Sequence, residues 1–463
     1  MVWTESSPVA AIRREAPHSR LVFTLRRWAE ALGFLWRNPL APRNFAAGIS
    51  RSSGRLELLV TDSPATGPLQ ALVTVLAAER VSDLTPRVKD AIQQVSEASV
   101  HAVVGVGVAR ASGYLAGAWR EAGRVAPIYS LRLLGPGLPE FAIGARPGIL
   151  PWRLPATAAE QQCWSRSMGA LGEAGWRRLT SLRTVIVGCG RSGSLMATAL
   201  ARLGVRRLTL VDPDRLESHN LGEMDLVRAA QRGDFKVYAV AEELERLQEG
   251  IGAQAAPRLK VEPIAEPVSS LRALEAARRA DLLITCVDDE AARLAAAVLA
   301  RLYLKPLLDI GTGVFEAAGN RRQMGADIRL VMPEECLLCV GGLNDLAVAQ
   351  ARLIEGQDVV TVEDWRRQRA GSLRSLNMLA VGLGVRLIEE LVAGRLGESA
   401  WVRVEFDRGL PHAERLDATR QPDCPLCRFG GWGDEGLRLG IETLLNRRAA
   451  VRSGFAATGR TNR

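Results

Sequence analysis

From residue 183 onward, the chain alternates short apolar runs with stretches whose apolar residues recur at helical spacing. The runs "RTVIVG", "RRLTLVD", "DLLITCVDD" and "KPLLDIG" would be apolar on both faces of a strand, and "RLKVEPIA" predicts a further strand. Strands buried on both faces occur in parallel sheets that helices cover on either side. The pattern therefore predicts an α/β fold, a Rossmann-like, doubly wound and mostly parallel sheet that binds ligands at the carboxyl ends of its strands.

The region before residue 156 shows a different pattern. An arginine-rich helical stretch, "TLRRWAEALGFLWRN", precedes predicted strands at "RLELLVTD" and "VHAVVGVGV" and a predicted helix at "LTPRVKDAIQQVSEA". Such a mixture is typical of an α+β domain. The Pro, Gly and Ala residues of "GARPGILPWRLPATAAE" indicate a linker. We predict an accessory α+β domain at 1–155, a second domain at 156–430, and a C-terminal helix with a basic tail at 431–463.

Composition excludes several classes of protein. The chain has 463 residues, of which 47% are hydrophobic and 24% charged, as in folded globular proteins rather than disordered ones. No apolar run is long enough to cross a bilayer, and the first residues lack the apolar core of a signal peptide. We therefore expect a cytoplasmic protein that does not contact a membrane.

The net charge of +9 comes almost entirely from arginine. Basic residues gather near both ends of the chain, which we interpret as solvated, frayed termini rather than a nucleic-acid surface. No RNA-binding or DNA-binding motif accompanies them, so no nucleic acid is expected as a partner. These basic residues are Arg13, Arg14, Arg20, Arg26, Arg27, Arg447, Arg448, Arg452, Arg460 and Arg463.

Four of the seven cysteines form two C-x-x-C pairs, "CLLC" and "CPLC". In a cytoplasmic chain such pairs indicate a structural Zn²⁺ site rather than disulfides, because four thiolates close a tetrahedral shell. Two unrelated turns are the alternative interpretation. The predicted ligands are Cys336, Cys339, Cys424 and Cys427, which leaves Cys163, Cys189 and Cys286.

The segment "TVIVGCGRSGS" connects the first predicted strand of the second domain to the first helix. Gly188, Gly190 and Gly193 fit the G-x-G-x-x-G pattern, in which small residues and a helix N-terminus admit phosphate. Asp212 ends the next strand, at the distance expected of an acid that binds ribose hydroxyls. These residues predict an adenine-nucleotide site; a simple packing turn is the alternative.

The residues that follow resemble the E1-like activating superfamily, the ThiF, MoeB and HesA group. The segment "LVDPDRLESHNLGEMD" matches the D-x-D…E-x-x-N-L pattern of that family, and Lys236 stands at the start of the next helix. "CVDDEAAR" loosely matches its T-D-N-x-x-x-R segment through Asp288 and Arg293, and the cysteine pairs match as well. The resemblance covers roughly residues 160 to 430 and makes the second domain an E1-like adenylation domain.

The resemblance implies that ATP, with Mg²⁺, adenylates the C-terminal carboxylate of a ubiquitin-like or sulfur-carrier protein that ends in glycine. It implies phosphate binding by Lys236, Mg²⁺ binding by Asp288, and an arginine finger at Arg166 acting across a homodimer. The alternative for Lys236 is a lysine on the helix surface, the alternative for Asp288 is a helix N-cap, and the alternative for Arg166 is a solvated arginine. The implied nucleotide-binding residues are Gly188, Gly190, Gly193, Asp212, Asp214, Asn220 and Arg191.

Two departures from the family pattern have consequences. The usual Asn-Arg-Gln triplet is replaced by Gly222, Glu223 and Met224, so a phosphate-binding arginine is missing; Arg191 or Arg293 is expected to supply the charge. No cysteine lies between Cys339 and Cys424, where many E1-like enzymes form a thioester. We therefore expect an enzyme that only adenylates, with an E2-like protein or another acyl acceptor completing the transfer. Cys189 lies at a helix N-terminus that could lower its pKa.

Other functions stay open. The strands "RLELLVTD" and "VHAVVGVGV" resemble parts of a JAB/MPN-like fold. A module of that ancestry would be degenerate, because the histidines at 18, 101, 219 and 412 lack the metal-site spacing. Such a module would dock a carrier protein or support dimerisation. A catalytically weakened scaffold, activation of a peptide or a tRNA base, and an NAD-dependent oxidoreductase are the competing hypotheses, and the residues after the glycine loop argue against the last.

Overall fold

A computed structural model of the chain describes ten segments. They are residues 18–53, 55–60, 71–95, 100–144, 156–251, 259–317, 321–343, 346–355, 373–407 and 410–439. Among the helices of these segments, none has the length and apolar character needed to cross a membrane.

The first part of the chain forms a mixed sheet of nine strands in the order β7-β6-β5-β4-β2-β3-β1-β8-β9. Strand β1 runs parallel to both β3 and β8, and β4 runs parallel to β5. The elements are β1 His18–Thr24, α1 Leu25–Arg37, β2 Arg43–Ser52, β3 Arg55–Val60, β4 Ala71–Ala78, α2 Val81–Gln93, β5 Ala102–Ala109, β6 Leu115–Glu121, β7 Arg124–Pro127, β8 Ser130–Leu134 and β9 Glu140–Ala142.

Helices α1 and α2 cover opposite faces of this sheet. Along β4, Val73 and Val75 pack in the same core as α1, whereas Leu76 packs in the core that includes α2. Successive residues of a strand point to opposite faces, so a strand covered on both sides is apolar throughout. Helix α2 approaches β5 closely: a Cβ atom on Gly107 would lie 2.5 Å from Leu84. The nine strands and two helices agree with the α+β class predicted for this region.

The second part forms an eight-stranded sheet in the order β12-β11-β10-β13-β14-β15-β16-β17. The five strands β10 to β14 are parallel to one another. Strands β15, β16 and β17 continue the sheet beyond β14, each antiparallel to its neighbour. The elements are α3 Ala158–Ser181, β10 Arg183–Val187, α4 Arg191–Arg202, β11 Arg207–Val211, α5 Lys236–Ile251, β12 Lys260–Ile264, α6 Leu271–Arg279, β13 Leu282–Thr285, α7 Glu290–Leu302, β14 Leu307–Ala317, β15 Arg321–Val331, α8 Leu346–Glu355, α9 Arg374–Ala393, β16 Ala400–Asp407, β17 Leu410–Leu416 and α10 Asp434–Arg438.

This sheet confirms the predicted Rossmann-like fold. The chain leaves β10 toward β11 on one side and later returns to β13 on the other, so the strand order reverses at β10. A crevice forms at such a reversal, outside the carboxyl ends of the strands, and it is where ligands bind in open α/β sheets. The glycine loop follows β10 at this point.

A buried ionic cluster joins the two sheets at the opposite end, beside the amino ends of β10, β13 and β14. Arg20 of β1 donates to Asp281, which precedes β13, at 2.9 Å and to Glu140 at 2.9 Å. Lys305, which precedes β14, donates to Glu57 of β3 at 2.7 Å. The cluster consists of Arg20, Arg55, Glu57, Arg132, Glu140, Asp281 and Lys305, and all seven are buried.

Burial alone would raise the pKa of Glu140, but Arg20 and Arg132 outweigh it and lower that pKa to about 2. The pKa of Asp281 is shifted in the same way: burial alone would raise it, but the neighbouring cations outweigh burial and lower it. Because each carboxylate in the cluster has several cationic partners, the buried carboxylate charges are compensated and the sheets are held together. The interpretation of Arg20 as part of a frayed, solvated terminus is therefore wrong.

Several elements differ from their predictions. The sequence pattern did not predict strands β1, β2, β4, β6 and β7 of the first sheet or β15, β16 and β17 of the second. The predicted linker ends inside α3, which begins at Ala158 with Thr157 as its N-cap; the linker's residues 145–155 lie outside the described segments. The predicted basic tail after residue 439 also lies outside them.

Candidate functional site

Two of the three loop glycines are required by the backbone. Gly188 has a φ of 89°, and a Cβ atom there would lie 2.6 Å from the carbonyl oxygen of Cys286 on the loop after β13. A Cβ atom on Gly193 would lie 1.9 Å from the carbonyl oxygen of Gly188. By contrast, a Cβ atom on Gly190 would meet no atom within 4 Å. The loop is thus tight on its inner side and open at Gly190, where a phosphate could approach the backbone.

Asp212 faces this loop from the end of β11. Its carboxylate accepts hydrogen bonds from the backbone nitrogens of Cys189, at 2.6 Å, and Asp214, at 2.8 Å. Asp212 is only 6% exposed, and burial raises its pKa despite the nearby charge of Lys236. The structure therefore brings the predicted ribose-binding acid against the glycine loop.

Lys236 begins α5 and extends to the same place. Its Nζ atom donates to Oδ2 of Asp214 at 2.6 Å. Burial would lower the pKa of Lys236, but the carboxylates of Asp212 and Asp214 outweigh that effect and raise it. Lys236 is therefore a protonated amine beside the loop, with the charge needed to bind an anion.

The other predicted residues have varied surroundings. Asn220 is buried, and its side-chain oxygen accepts a hydrogen bond from the backbone nitrogen of Glu217 at 2.9 Å, which holds the turn at Ser218–Asn220. Asp288 is exposed before α7, and the N-cap of that helix is the next residue, Asp289. Arg166 is exposed on α3, and no hydrogen bond or ion pair of the described residues joins it to the glycine loop.

The two arginines proposed to replace the missing family arginine differ. Arg293 donates to Asp309 at 3.0 Å and to the carbonyl oxygen of Val287 at 2.9 Å, and Asp309 is fully buried. Arg191, the first residue of α4, forms an ion pair with Glu223, the acid that stands in the family arginine's place. The acidic partner of Arg191 is therefore partly exposed, whereas the acidic partner of Arg293 is buried.

Two of the three thiols outside the cysteine pairs lack the lowered pKa of an activated nucleophile. Burial raises the pKa of Cys189 well above its ordinary value, and the Asp212 carboxylate adds to this effect. The suggestion that the helix N-terminus lowers this pKa is therefore wrong, since burial and Asp212 outweigh it. Burial likewise raises the pKa of Cys286, and Cys163 is exposed on α3.

The two C-x-x-C pairs come together as a candidate metal centre. The four sulfur atoms lie within 4.8 Å of one another and are buried. The sulfur of Cys336 lies 3.6 Å from that of Cys339 and 3.4 Å from that of Cys424, and the sulfurs of Cys339 and Cys427 are 3.5 Å apart. Tetrahedral Zn²⁺ with bonds of about 2.3 Å separates its sulfur ligands by roughly 3.8 Å. The four thiols therefore fit such an ion.

Arg301, at the end of α7, supports both halves of this centre, a role that its position in an apolar helix did not indicate. Its guanidinium donates to the carbonyl oxygens of Cys427, at 2.6 Å, and of Pro333. A Cβ atom on Gly430 would lie 2.0 Å from the same guanidinium, so a larger residue there would displace the guanidinium from these carbonyl oxygens. The backbone nitrogen of Gln421 donates to the sulfur of Cys339 at 3.3 Å, as is common around structural metal sites.

Comparison with known proteins agrees with this geometry. Residues 164–369 match the model of the ThiF family. The chain is 34% identical over 259 residues to the adenylyltransferase and sulfurtransferase MOCS3 of Sus scrofa, covering 56% of this chain and 50% of the relative. It is 32% identical to MOCS3 of Bos taurus over 169 residues, covering 36% of this chain and 35% of the relative. The chain thus spans half or less of the length of these curated relatives.

Among solved structures, E. coli MccB with ATP is similar over 58% of this chain and 75% of that one, with a TM-score of 0.43 and 18% identity. The ThiF match includes the glycine loop, Asp212, Lys236 and the first cysteine pair. Residues 164–369 of the chain are therefore similar to the ThiF family.

Proposed function

We propose that this protein uses ATP to adenylate the C-terminal carboxylate of a ubiquitin-like or sulfur-carrier protein that ends in glycine. The observation that carries the proposal is that the glycine loop, Asp212 and Lys236 meet at the strand-order reversal of a ThiF-family sheet. The relatives named as adenylyltransferases support the same chemistry. The adenylation domain would be residues 156–430, and the accessory domain before it would dock the carrier or support dimerisation.

In the proposed reaction, a carboxylate oxygen of the carrier attacks the α-phosphorus of ATP. A new P–O bond forms, the P–O bond to the bridging oxygen between the α- and β-phosphates breaks, and pyrophosphate leaves with that oxygen's electron pair. Two anions must approach each other, so the protonated Lys236 would bind phosphate oxygens and offset their charge. Asp212 would accept hydrogen bonds from the ribose hydroxyls, and the open backbone at Gly190 would receive phosphate.

Metal ions complete the proposal. The exposed carboxylate of Asp288 would hold Mg²⁺, which neutralises phosphate charge when bound. Cys336, Cys339, Cys424 and Cys427 would hold a structural Zn²⁺, which ties the segment after β15 to the segment after β17. All four positions of that ion would be filled by sulfur, so it would take no part in the reaction.

Transfer of the acyl group would fall to another protein, such as an E2-like protein or a different acyl acceptor. Cys189 and Cys286 have raised pKa values, so little of either is the thiolate that would have to attack the acyl adenylate. Arg166, exposed on α3, would act as the arginine finger of a second subunit in a homodimer. A catalytically weakened scaffold is the second candidate function, because an acid, Glu223, stands where the family has a phosphate-binding arginine.

Exchange of labelled pyrophosphate into ATP tests the proposal, because adenylation is reversible and the exchange requires the acyl adenylate. We expect exchange that depends on adding a carrier with a free C-terminal glycine and that disappears when this carboxylate is amidated. Exchange that the amidated carrier supports equally would contradict the assignment of the carboxylate. ATP binding without exchange for any carrier tested would favour the scaffold.

A further inference from the structure

We propose that Glu223 and Arg191 form an exchangeable ion pair: Glu223 neutralises Arg191 in the nucleotide-free protein, and the phosphates of ATP take its place. The inference rests on the proposed adenylation function and extends it to how the site controls nucleotide affinity. Arg191 would thereby be a phosphate-binding residue, and Glu223 a resident anion that competes with ATP.

The position of Arg191 supports its part in this exchange. It is the first residue of α4 and follows Gly190, at the open part of the loop. Its side chain is 31% exposed, so a ligand can reach it from solvent. Because the chain places an acid in the family arginine's position and an arginine in the glycine loop, the two positions carry a pair of opposite charges that face each other. A cation is therefore still present, contributed by the glycine loop and the start of α4.

The backbone around Glu223 is fixed, so the acid is held beside Arg191. The next residue, Met224, is buried in the core of the second sheet. The backbone nitrogen of Asp225 donates to the hydroxyl of Ser194 in α4 at 3.0 Å. Arg374 of α9 donates to the carbonyl oxygen of Glu223 at 3.2 Å and pairs with the carboxylate of Asp225.

The exposure of Glu223 explains why the pair can open. Its side chain is 39% exposed, so water can solvate the carboxylate once Arg191 turns away, and a pair of this exposure stabilises the fold little. A triphosphate carries more charge than a single carboxylate and accepts several hydrogen bonds from one guanidinium. Arg293 has no such freedom, because its partner Asp309 is fully buried and also accepts from Arg329 at 3.1 Å. The exchange is therefore assigned to Arg191 alone of the two candidates.

Calorimetric titration of the full chain with ATP tests the proposal, with adenosine, which has no phosphate, as the matched ligand. Arg191→Ala is expected to weaken ATP binding about tenfold, the effect of one lost charge-assisted hydrogen bond. Glu223→Gln is expected to tighten ATP binding about fivefold, because the competing charge is removed while the side chain keeps its shape. Neither change should alter adenosine affinity.

Two controls make the test specific. Arg202→Ala removes the same charge from an exposed side chain in the last turn of α4 and should leave ATP affinity unchanged. Arg191→Lys should retain most of the ATP affinity that Arg191→Ala loses. Unfolding midpoints identify any variant that fails to fold, and the remaining variant of the Arg191 and Glu223 pair then decides the result.

Three outcomes would overturn the inference. If wild-type protein binds ATP and Arg191→Ala binds it equally well, Arg191 is not a phosphate ligand. If Glu223→Gln weakens ATP binding, Glu223 orients Arg191 and does not compete with ATP. If the wild-type protein binds adenosine and ATP alike or neither, the proposed adenylation function fails together with the inference.

Discussion

Two lysines lie at opposite ends of the same sheet and have opposite surroundings. Lys236, at the carboxyl end, donates to Asp214, whose side chain is 63% exposed. Lys305, at the amino end, donates to Glu57, whose side chain is 2% exposed and belongs to the other sheet. A partner in solvent can be exchanged for a phosphate, whereas a buried partner cannot be lost without leaving an uncompensated charge. The lysine at one end of the sheet thus has a buried acidic partner, and the lysine at the other end has an acidic partner in solvent.

The buried carboxylates at the two ends of the sheet differ in the direction of their pKa shifts. The neighbouring cations lower the pKa of Asp281 in spite of its burial. Burial raises the pKa of Asp212, although Lys236 and two backbone nitrogens act in the opposite direction. A charge that the fold stabilises fully is a structural feature, while a charge that the fold leaves partly uncompensated has capacity for a further partner.

The largest effect is expected when the buried ionic cluster loses its central acid. Asp281→Ala leaves the four buried cations of the cluster with only Glu57 and Glu140 as counter-charges and should lower the free energy of unfolding by about 3–5 kcal/mol. Guanidinium denaturation measures the change. The matched control Glu398→Ala breaks the exposed ion pair between Glu398 and Arg415. The free energy of unfolding should then change by less than about 0.5 kcal/mol. Similar small losses in both variants would show that the cluster does not hold the sheets together.

Acid should remove part of the same stability. The pKa of Glu140 is about 2 in the folded protein, against an ordinary value of 4.5. Its contribution is therefore fully present above about pH 4.5 and is lost as the pH falls toward 2, a change of about 3 kcal/mol. The Glu140→Gln variant lacks this contribution, so its stability deficit relative to wild type should shrink between about pH 6 and about pH 3. A deficit that stays constant over that range would contradict the assignment.

The sequence predicted the strands that obey a simple rule and missed those that do not. Strands β10, β11, β13 and β14 are apolar runs between amphipathic helices, which local pattern reveals. Strand β1 contains Arg20, whose buried partner Asp281 lies 261 residues away in the sequence. A buried arginine resembles a solvated one until its partner is known, so neither the strand nor the interface could be predicted.

The candidate site divides in the same way. Gly188, Asp212 and Lys236 follow a known spacing, and the structure brings them together. Glu223 was interpreted only as the loss of a cation, because pairing between Glu223 and Arg191 depends on how α4 faces the turn after β11. Local pattern contains no such information about tertiary contacts. The pKa of Cys189 was misjudged for the same reason, since its complete burial is a tertiary property.

The most direct test of the account compares Lys236→Met with Lys305→Met, measuring ATP affinity by calorimetry and the free energy of unfolding by denaturation. We predict that Lys236→Met weakens ATP binding at least about tenfold with little change in stability. We predict that Lys305→Met lowers the free energy of unfolding by about 1–3 kcal/mol and, where folded, binds ATP like wild type. Equal ATP binding by Lys236→Met and wild type, or weakened ATP binding by a folded Lys305→Met, would contradict the division of the sheet into a structural end and a nucleotide-binding end.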